Sequence, residues 1–174
     1  MKFKKFKFKK VKSTNSTALR IIKETNYTSG MVVAETQNEG RGQYGRKWIS
    51  LKGNLFVSFF YKLKKTNLSI NVITKSNCLL VKNLLSKFTN KRITIKKPND
   101  LLIDKKKISG ILQEIILTKG KKFLITGIGI NITKHPNIKN YPATNLQDVA
   151  KKSISKLKVE NKLKHIFEKN LLKL

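Results

Sequence analysis

Two arginines and three glycines lie close together between residues 35 and 48, where the sequence reads ETQNEGRGQYGRKW. Arg41 and Arg46 are two of only four arginines in a chain that otherwise carries its positive charge on lysine. A guanidinium group binds a carboxylate or phosphate in a planar, two-pronged arrangement that lysine cannot form. Glycine permits positive φ, so consecutive N–H groups can form a nest for an anion. The segment predicts an anion-binding loop, with a glycine-rich hairpin turn as the alternative interpretation.

A second polar group, Ser13, Thr14 and Asn15, stands just before a stretch whose apolar residues recur at helical spacing. Such residues commonly cap the N-terminus of a helix. Their hydroxyl and amide groups could also hold a small polar ligand at that terminus. Both interpretations place these side chains at the start of the first helix.

Strands are predicted on either side of the glycine-rich loop. Phenylalanine alternates with lysine in residues 3–11, which predicts a half-buried edge strand. The apolar run at 31–34 leads into the loop, and the longer run at 54–61 predicts a strand that is buried on both faces.

The second half of the chain combines helical and strand patterns. Apolar spacing predicts a long helix at 68–88 and a helical C-terminal region that opens at residues 143–145 and ends as an amphipathic helix near Leu171. Between them, a short strand leads into KKPND at 96–100, and a hairpin and a further strand follow. Gly127 and Gly129 share one face of that last strand, where another backbone or a flat ligand ring can approach closely.

Length and composition indicate one intracellular domain. The chain has 174 residues, of which 39% are hydrophobic, and this suits one domain with a sizeable core. Cys78 is the only cysteine, and with two histidines it leaves too few ligands for a structural zinc site. The lysine-rich start is not a signal peptide, and no apolar run is long enough to cross a bilayer. A soluble, cytoplasmic protein is expected.

The formal net charge of +30 would ordinarily indicate binding to nucleic acid or to an anionic membrane. The lysines are spread through every segment together with many isoleucines and asparagines, as an AT-rich genome would produce. Tyr44 and Trp48 could stack on nucleic-acid bases. A basic nucleic-acid-binding module is therefore kept as an alternative interpretation.

Six short motifs follow one another along the chain. They are STN at 13–15, QNEGRGQYGRKW at 37–48, KKPND at 96–100, KISGIL at 107–112, GIGINI at 127–132 and PATNL at 142–146. In this order and spacing they resemble the biotin protein ligases, whose pattern is STN, GRGRxGRxW, KWPND, KxxGIL and G(I/A)GIN. The resemblance extends over most of the chain.

The resemblance implies an α+β fold, with a mixed, largely antiparallel sheet flanked by helices, like the catalytic domain of class II aminoacyl-tRNA synthetases. It implies that biotin and ATP form biotinyl-5'-AMP, and that biotin then passes to a lysine of a biotin carboxyl carrier protein, the acetyl-CoA carboxylase subunit. Mg²⁺ would accompany the nucleotide, with no metal ligand identifiable in the protein. No specific nucleic acid and no membrane is expected as a partner, and both a monomer and a homodimer remain open.

The same resemblance assigns the site residues. Arg41 and Lys96 are expected to be catalytic, because a carboxylate and an α-phosphate repel each other until fixed cations neutralise their charge. Alternation along a strand predicts that Lys96 faces the site and Lys97 points away from it. The biotin-binding positions are Ser13, Thr14, Asn15, Gln37, Arg41, Gly42, Gln43, Lys96, Gly127 and Gly129. The ATP-binding positions are Arg46, Trp48, Asn99 and Asn131.

The sequence departs from the family pattern at two positions. Gln43 stands where many relatives carry a second arginine, which predicts weaker retention of the adenylate, and Lys97 replaces the tryptophan of KWPND. Residues 1–174 are expected to form a single catalytic domain, without the N-terminal winged-helix domain or the C-terminal SH3-like domain of some relatives. A lipoate or octanoate protein ligase of the same fold is the nearest alternative, although its RxSGGG loop pattern is absent.

Overall fold

A computed structural model describes residues 2–63 and 69–170. Within these residues, strands and helices alternate along the chain. They are β1 (Lys4–Val11), α1 (Thr14–Glu24), β2 (Ser29–Gln37), β3 (Leu55–Lys62), α2 (Ile70–Leu85), β4 (Ile93–Lys96), β5 (Asp100–Ile103), β6 (Lys106–Thr118), β7 (Lys121–Ile130), α3 (Leu146–Ala150) and α4 (Lys156–Asn170).

The strands form one seven-stranded sheet in the order β1-β2-β3-β7-β6-β5-β4. β1 runs parallel to β2, and every other neighbouring pair is antiparallel. The predicted α+β fold with a mixed, largely antiparallel sheet is confirmed. β1 lies at the sheet edge, as its alternating lysines predict, because lysine discourages pairing with another chain.

Helices cover both faces of this sheet. Successive residues of a strand point to opposite faces, so that Val32 packs with Phe60 and α1, whereas Met31 and Val33 belong to the larger core beneath α2 and α4. Phe59 and Phe167 of α4 stack in that larger core with ring centroids 4.3 Å apart. The protein therefore has three layers, with α1 alone on one side.

The α1 face carries the site because α1 packs against only part of it. Ala18, Ile21 and Ile22 of α1 pack with Phe123 and Ile125 of β7. Gly127 and Gly129 share the face of Ile125, two and four residues further along the strand, where they offer no side chain to fill the layer. The fold thus leaves a depression between the N-terminus of α1 and the centre of the sheet.

Two helix predictions differ from the structure at their ends. The helix expected at 68–88 begins at Ile70, with the Ser69 side chain accepting a hydrogen bond from the Val72 N–H, and it ends at Leu85. Residue 68 lies outside the described residues. The C-terminal helical region is divided into α3 and α4, because Lys151 takes a left-handed conformation after α3, and Leu171 also lies outside the described residues.

None of the helices in the described residues combines the length and the apolar character needed to cross a membrane.

Candidate active site

A cavity of about 430 Å³ lies on the α1 side of the sheet, and every residue that the sequence predicts for the site lines it. The cavity brings together the start of α1, the glycine-rich loop, the β4–β5 turn and the second half of β7. Their individual roles remain predictions. The predicted residues in the lining are Ser13, Thr14, Asn15, Gln37, Arg41, Gly42, Gln43, Arg46, Trp48, Lys96, Asn99, Gly127, Gly129 and Asn131.

Glycines of two neighbouring strands form the floor. Gly110 of β6 is directly opposite Gly129 of β7. A Cβ atom at either position would overlap the Trp48 ring, and a Cβ atom at Gly127 would overlap the Asn15 side chain. The close approach that the sequence predicts is thus made by side chains of the protein itself.

The Ser13-Thr14-Asn15 segment caps α1, as one interpretation predicts, and it also lines the cavity. Ser13 caps α1, accepting a hydrogen bond from the Ser16 N–H at 3.4 Å. Thr14 donates its backbone N–H and its hydroxyl to Gln37 Oε1, at 2.8 and 3.1 Å. Ser58 of β3 donates its hydroxyl to Asn15 Oδ1 at 2.5 Å. The helix terminus therefore presents a connected set of neutral hydrogen-bonding groups at the cavity.

The loop between β2 and β3 is a hairpin. Gly42 N–H donates to Arg46 O at 2.7 Å, Arg46 N–H to Gln43 O at 3.2 Å, and Trp48 N–H to Gly40 O at 2.8 Å. These three N–H groups are used within the hairpin, so the predicted backbone nest for an anion is wrong for them. The loop offers the cavity its side chains instead.

Arg41 lies beside an acidic residue of β6. Its Nη2 donates to both Glu114 carboxylate oxygens at 3.0 Å, and Asn15 Nδ2 donates to Glu114 Oε2 at 2.7 Å. The guanidinium remains 46% exposed, so the ion pair does not remove it from solvent. This arrangement joins the glycine-rich loop to the start of α1.

A second cation, Lys107, lies on the glycine floor. Its Nζ is 2.7 Å from Asp100 Oδ1 and 5.3 Å from the centre of the Trp48 ring. Lys96, by contrast, is exposed at the end of β4, and its ammonium has no ion-pair partner within the described residues. Both lysines line the cavity, so Lys107 is a further candidate beside Lys96 for the lysine that contacts a reacting group.

Both Lys96 and Lys97 line the cavity, so the lining does not separate the two lysines and the expected contrast between them stays a prediction. β4 ends at Lys96, and the next residues form the β4–β5 turn. Alternation of side chains applies within a strand and does not extend into a turn.

Asn131 and Asn99 are anchored through their amide nitrogens. Asn131 Nδ2 donates to Thr144 O at 3.1 Å, and Asn99 Nδ2 donates to Ile111 O at 2.6 Å. Asn131 Oδ1 is buried without a hydrogen-bonding partner. Because such an acceptor is costly to leave unpaired, it is available to a ligand N–H. Nearby, the Arg46 guanidinium lies 5.8 Å from the centre of the Tyr141 ring.

Cys78 of α2 takes no part in chemistry at the cavity. Its Sγ lies 3.9 Å from Pro98 O. Burial raises the pKa of the Cys78 thiol to about 11, and the negative charge of Asp100 adds to the increase. The thiol is protonated near neutral pH, and only the thiolate is a good nucleophile.

The sequence model of the biotin/lipoate A/B protein ligase family matches residues 7–131, which include most of the cavity lining. The chain belongs to this family. It is 32% identical over 124 residues to the bifunctional ligase/repressor BirA of Escherichia coli and 31% identical over 169 residues to that of Bacillus subtilis. These matches cover 70% and 90% of this chain. The chain spans 38% and 50% of the length of these two curated relatives.

The fold of this family member agrees with solved structures. The biotin protein ligase from Aquifex aeolicus in complex with biotin and ATP superimposes with a TM-score of 0.82 at 31% sequence identity. The superposition covers 98% of this chain and 71% of that one. The class II aminoacyl-tRNA-synthetase-like fold implied by the motifs is confirmed.

Three residues around the cavity of this ligase-family chain were missed from the sequence, although each carried a signal. Ser58 is the one serine within the apolar run of β3. Lys107 opens the KISGIL motif. Glu114 is one of only nine acidic residues in a chain with 39 lysines and arginines, so a carboxylate at this position was itself a signal.

Proposed function

We propose that this chain is a biotin protein ligase that forms biotinyl-5'-AMP from biotin and ATP and transfers biotin to a lysine of a biotin carboxyl carrier protein, the acetyl-CoA carboxylase subunit. One observation carries the proposal: a single cavity combines neutral hydrogen-bonding groups at the start of α1 with two cations, Arg41 and Lys107, and with buried Asn131. Relatives support it, since proteins of Paracoccus denitrificans and Mycobacterium tuberculosis that match this chain are biotin–[acetyl-CoA-carboxylase] ligases.

The first step joins two anions. An oxygen of the biotin carboxylate attacks the α-phosphorus of ATP, the bond to the β-phosphate breaks, and pyrophosphate leaves. The anions repel each other until positive charge is held close to both. Arg41 and Lys107 supply that charge, and the carboxylates that pair with them hold it in place before the substrates arrive.

The neutral end of the cavity suits the ring of biotin. The ureido group carries two N–H donors and a carbonyl acceptor and has no charge. Thr14, Asn15 and Gln37 line the cavity there and offer hydroxyl and amide groups that can be either donors or acceptors. A polar, uncharged ligand is held there by geometry rather than by ion pairing.

The remaining lining suits a nucleotide. The Trp48 ring lies over the glycine floor, and Asn131 Oδ1 is an unpaired buried acceptor that can receive the exocyclic amine of adenine. Arg46 and Tyr141 flank this region and can approach the base or the phosphates. Asn99, held on the Ile111 carbonyl, completes this end of the cavity.

In the second step, the neutral amine of the acceptor lysine attacks the carbonyl carbon of biotinyl-5'-AMP, an amide bond forms, and AMP leaves. The protein contributes no nucleophile of its own to either step. Its tasks are to bind, to orient and to exclude water from a mixed anhydride that hydrolyses.

Magnesium would arrive with ATP and would offset part of the negative charge of its phosphates. The described residues contain no group of three His, Cys, Asp or Glu side chains that could hold a metal ion. The two carboxylates nearest the cavity, Asp100 and Glu114, are each paired with a cation. The donor set therefore does not form a protein site for the metal, and no step is assigned to it.

We further propose a single catalytic domain within residues 1–174 and a cytoplasmic location, where ATP and the carrier protein meet. One continuous sheet with helices on both faces supports the first proposal. No specific nucleic acid is assigned as a partner, and either a monomer or a homodimer is compatible with the site.

The test is exchange of labelled pyrophosphate into ATP by the purified protein. We expect exchange that depends on biotin and requires neither nucleic acid nor carrier protein. Exchange with lipoate or octanoate but not with biotin would favour the other branch of the family and overturn the proposal. Transfer of labelled biotin to a carrier domain, abolished when its acceptor lysine is replaced by arginine, tests the second step.

A further inference from the structure

Glu114 stands apart from the other acidic residues because it touches two predicted ligand-binding side chains at once. Its Oε2 accepts from Asn15 Nδ2 at 2.7 Å and from Arg41 Nη2 at 3.0 Å, while its Oε1 accepts from the same Nη2 at 3.0 Å. The carboxylate is 26% exposed. Glu114 lines a second cavity, whereas Arg41 lines both this cavity and the one already described.

The pairing engages only part of the Arg41 guanidinium. Both contacts use Nη2, and within the described residues Nε and Nη1 have no hydrogen-bonding partner. A guanidinium carries five N–H donors, so Arg41 keeps most of them for another anion. The ion pair therefore fixes the guanidinium and leaves its remaining N–H donors for a ligand.

Arg41 needs such support because of where it stands in the chain. It lies between Gly40 and Gly42 in the hairpin loop, and its side chain is 46% exposed. A long side chain at such a position loses much rotamer freedom when it is fixed, and an isolated exposed ion pair contributes little to fixing it. Glu114 differs from an isolated partner because Asn15 also holds its carboxylate.

The contacts continue from Glu114 into the neutral end of the cavity. Asn15 Oδ1 accepts from Ser58 Oγ at 2.5 Å, and Ser58 Oγ lies 2.8 Å from Thr14 Oγ1, which donates to Gln37 Oε1 at 3.1 Å. Because Asn15 donates through Nδ2 to Glu114, its Oδ1 faces Ser58. Glu114 thus sets the orientation of the Asn15 amide as well as the position of Arg41.

We propose that Glu114 is a positioning residue that holds the Arg41 guanidinium over the cavity before substrates bind and ties it to the hydrogen-bonding groups that receive the neutral ring. The inference rests on the proposed function for the identity of the substrates, whereas the ion pair and its effect on the loop do not depend on it. Glu114 acts through Arg41 and does not itself contact the reacting atoms.

The first experiment measures amide hydrogen exchange in the ligand-free protein. Glu114→Gln removes the charge and keeps the shape, so we expect exchange of the 41–46 amides to quicken about tenfold while the central strands are unchanged. Glu39→Gln is the matched control, because it removes one charge from the same chain segment, where Glu39 pairs with Lys12 at 3.6 Å. Equal loop exchange in the wild type and Glu114→Gln would overturn the inference. Should Glu114→Gln fail to fold, Arg41→Ala breaks the same pair from the loop side, and unchanged loop exchange there would overturn it too.

The second experiment separates binding from turnover. Glutamine keeps a carbonyl oxygen for Asn15, so we expect Glu114→Gln to bind biotin within about threefold of the wild type but to lower kcat for pyrophosphate exchange about tenfold. Glu114→Asp keeps the charge on a shorter arm and should restore part of the loss. A loss of thermal stability with normal kcat would assign Glu114 a purely structural role.

A double-mutant cycle then tests whether Glu114 acts through Arg41. In an Arg41→Ala background, Glu114→Gln should have no further effect on kcat, since the group it positions is gone. An undiminished tenfold loss in that background would contradict the proposal. If the wild type shows no biotin-dependent exchange, the proposed function fails, and the hydrogen-exchange result still decides the role of Glu114.

Discussion

Two cations at the cavity are each paired with a carboxylate, Lys107 with Asp100 and Arg41 with Glu114. All four side chains are between 21% and 46% exposed. Ion pairs with this exposure add little to the free energy of folding. Their importance lies in fixing the place of positive charge before the anions bind, because preorganised charge needs no rearrangement during the reaction.

The first prediction compares two lysines. Lys107→Ala should lower the single-turnover rate of adenylate formation by roughly a few hundredfold, since it removes a fixed cation at the cavity floor. Lys96→Ala should lower it by less than about tenfold, because an exposed ammonium is mobile and screened by solvent. Rapid-quench measurement of biotinyl-5'-AMP gives both rates.

Lys97→Ala and thermal melts are the controls for this pair. Lys97 lines the same cavity from the β4–β5 turn, so its removal reports any general effect of lost positive charge. A larger loss for Lys96→Ala than for Lys107→Ala would restore the assignment made from the KKPND motif alone.

The second prediction concerns Gln43, whose Oε1 is buried without a hydrogen-bonding partner. Gln43→Arg should slow release of biotinyl-5'-AMP by about tenfold or more, because a charged hydrogen bond to the phosphate would replace a neutral side chain. Retention of labelled adenylate on a rapid desalting column measures this. Gln43→Lys is the control for charge alone, and equal release from the wild type and both variants would show that this position does not hold the phosphate.

Among the elements, β7 decides the depth of the cavity through its glycines. Gly129→Ala should weaken binding of ATP and slow adenylate formation by about tenfold or more, because the added Cβ atom occupies space taken by the Trp48 ring. Isothermal titration and single-turnover rates test it. Ile128→Val is the matched control, since its side chain packs in the core on the opposite face. Normal ATP binding by Gly129→Ala would show that the floor has room to adjust.

Helices and strands were predicted best from the sequence where the residue pattern allows only one interpretation. The lysine–phenylalanine alternation of β1 and the apolar run of β3 both became the strands expected, and the STN segment became the start of α1. The separation of α3 from α4 was missed because it depends on the backbone conformation of Lys151, a residue with no strong preference for the left-handed region.

The residues that line the cavity were predictable from the sequence, whereas their contacts with one another were not. Motif order gathered the lining correctly, because the sheet brings the ends of β2, β4 and β7 to one face. The ion pair between Lys107 and Asp100 could not be predicted from the sequence, since it depends on how β6 pairs with β5, where Lys107 lies opposite Leu102, two residues along the strand from Asp100. Local pattern identifies a strand, whereas pairing between strands decides which side chains meet.

At the scale of the whole molecule, the acidic residues are nearly all paired. Of the nine in the sequence, all of which lie in the described residues, eight come within 4.0 Å of a basic side chain, and Glu35 is the exception. Most lysines therefore have no carboxylate to offset them. The resulting positive field reaches about 8 Å into solvent at physiological salt.

The last prediction follows from this field. If the carrier domain is acidic, transfer of biotin from preformed adenylate should slow about three- to tenfold between roughly 0.05 and 0.5 M salt, because screening removes electrostatic steering. Transfer to hydroxylamine, a small neutral acceptor, should hardly change and serves as the control. A transfer rate to the carrier domain that is flat across this range would exclude steering.

Trp48 is the only tryptophan in the chain, and it lies over Gly110 and Gly129 on the cavity floor. Its indole N–H is buried without a partner. The protein thus carries a single indole fluorophore, which can be excited selectively over its four tyrosines, and that indole lies where ligands are proposed to bind. A ligand that displaces the ring into water will shift its emission to longer wavelength, and one that stacks on it will quench it. Occupancy of the cavity can therefore be followed optically in the unmodified protein, with no second indole to obscure the signal.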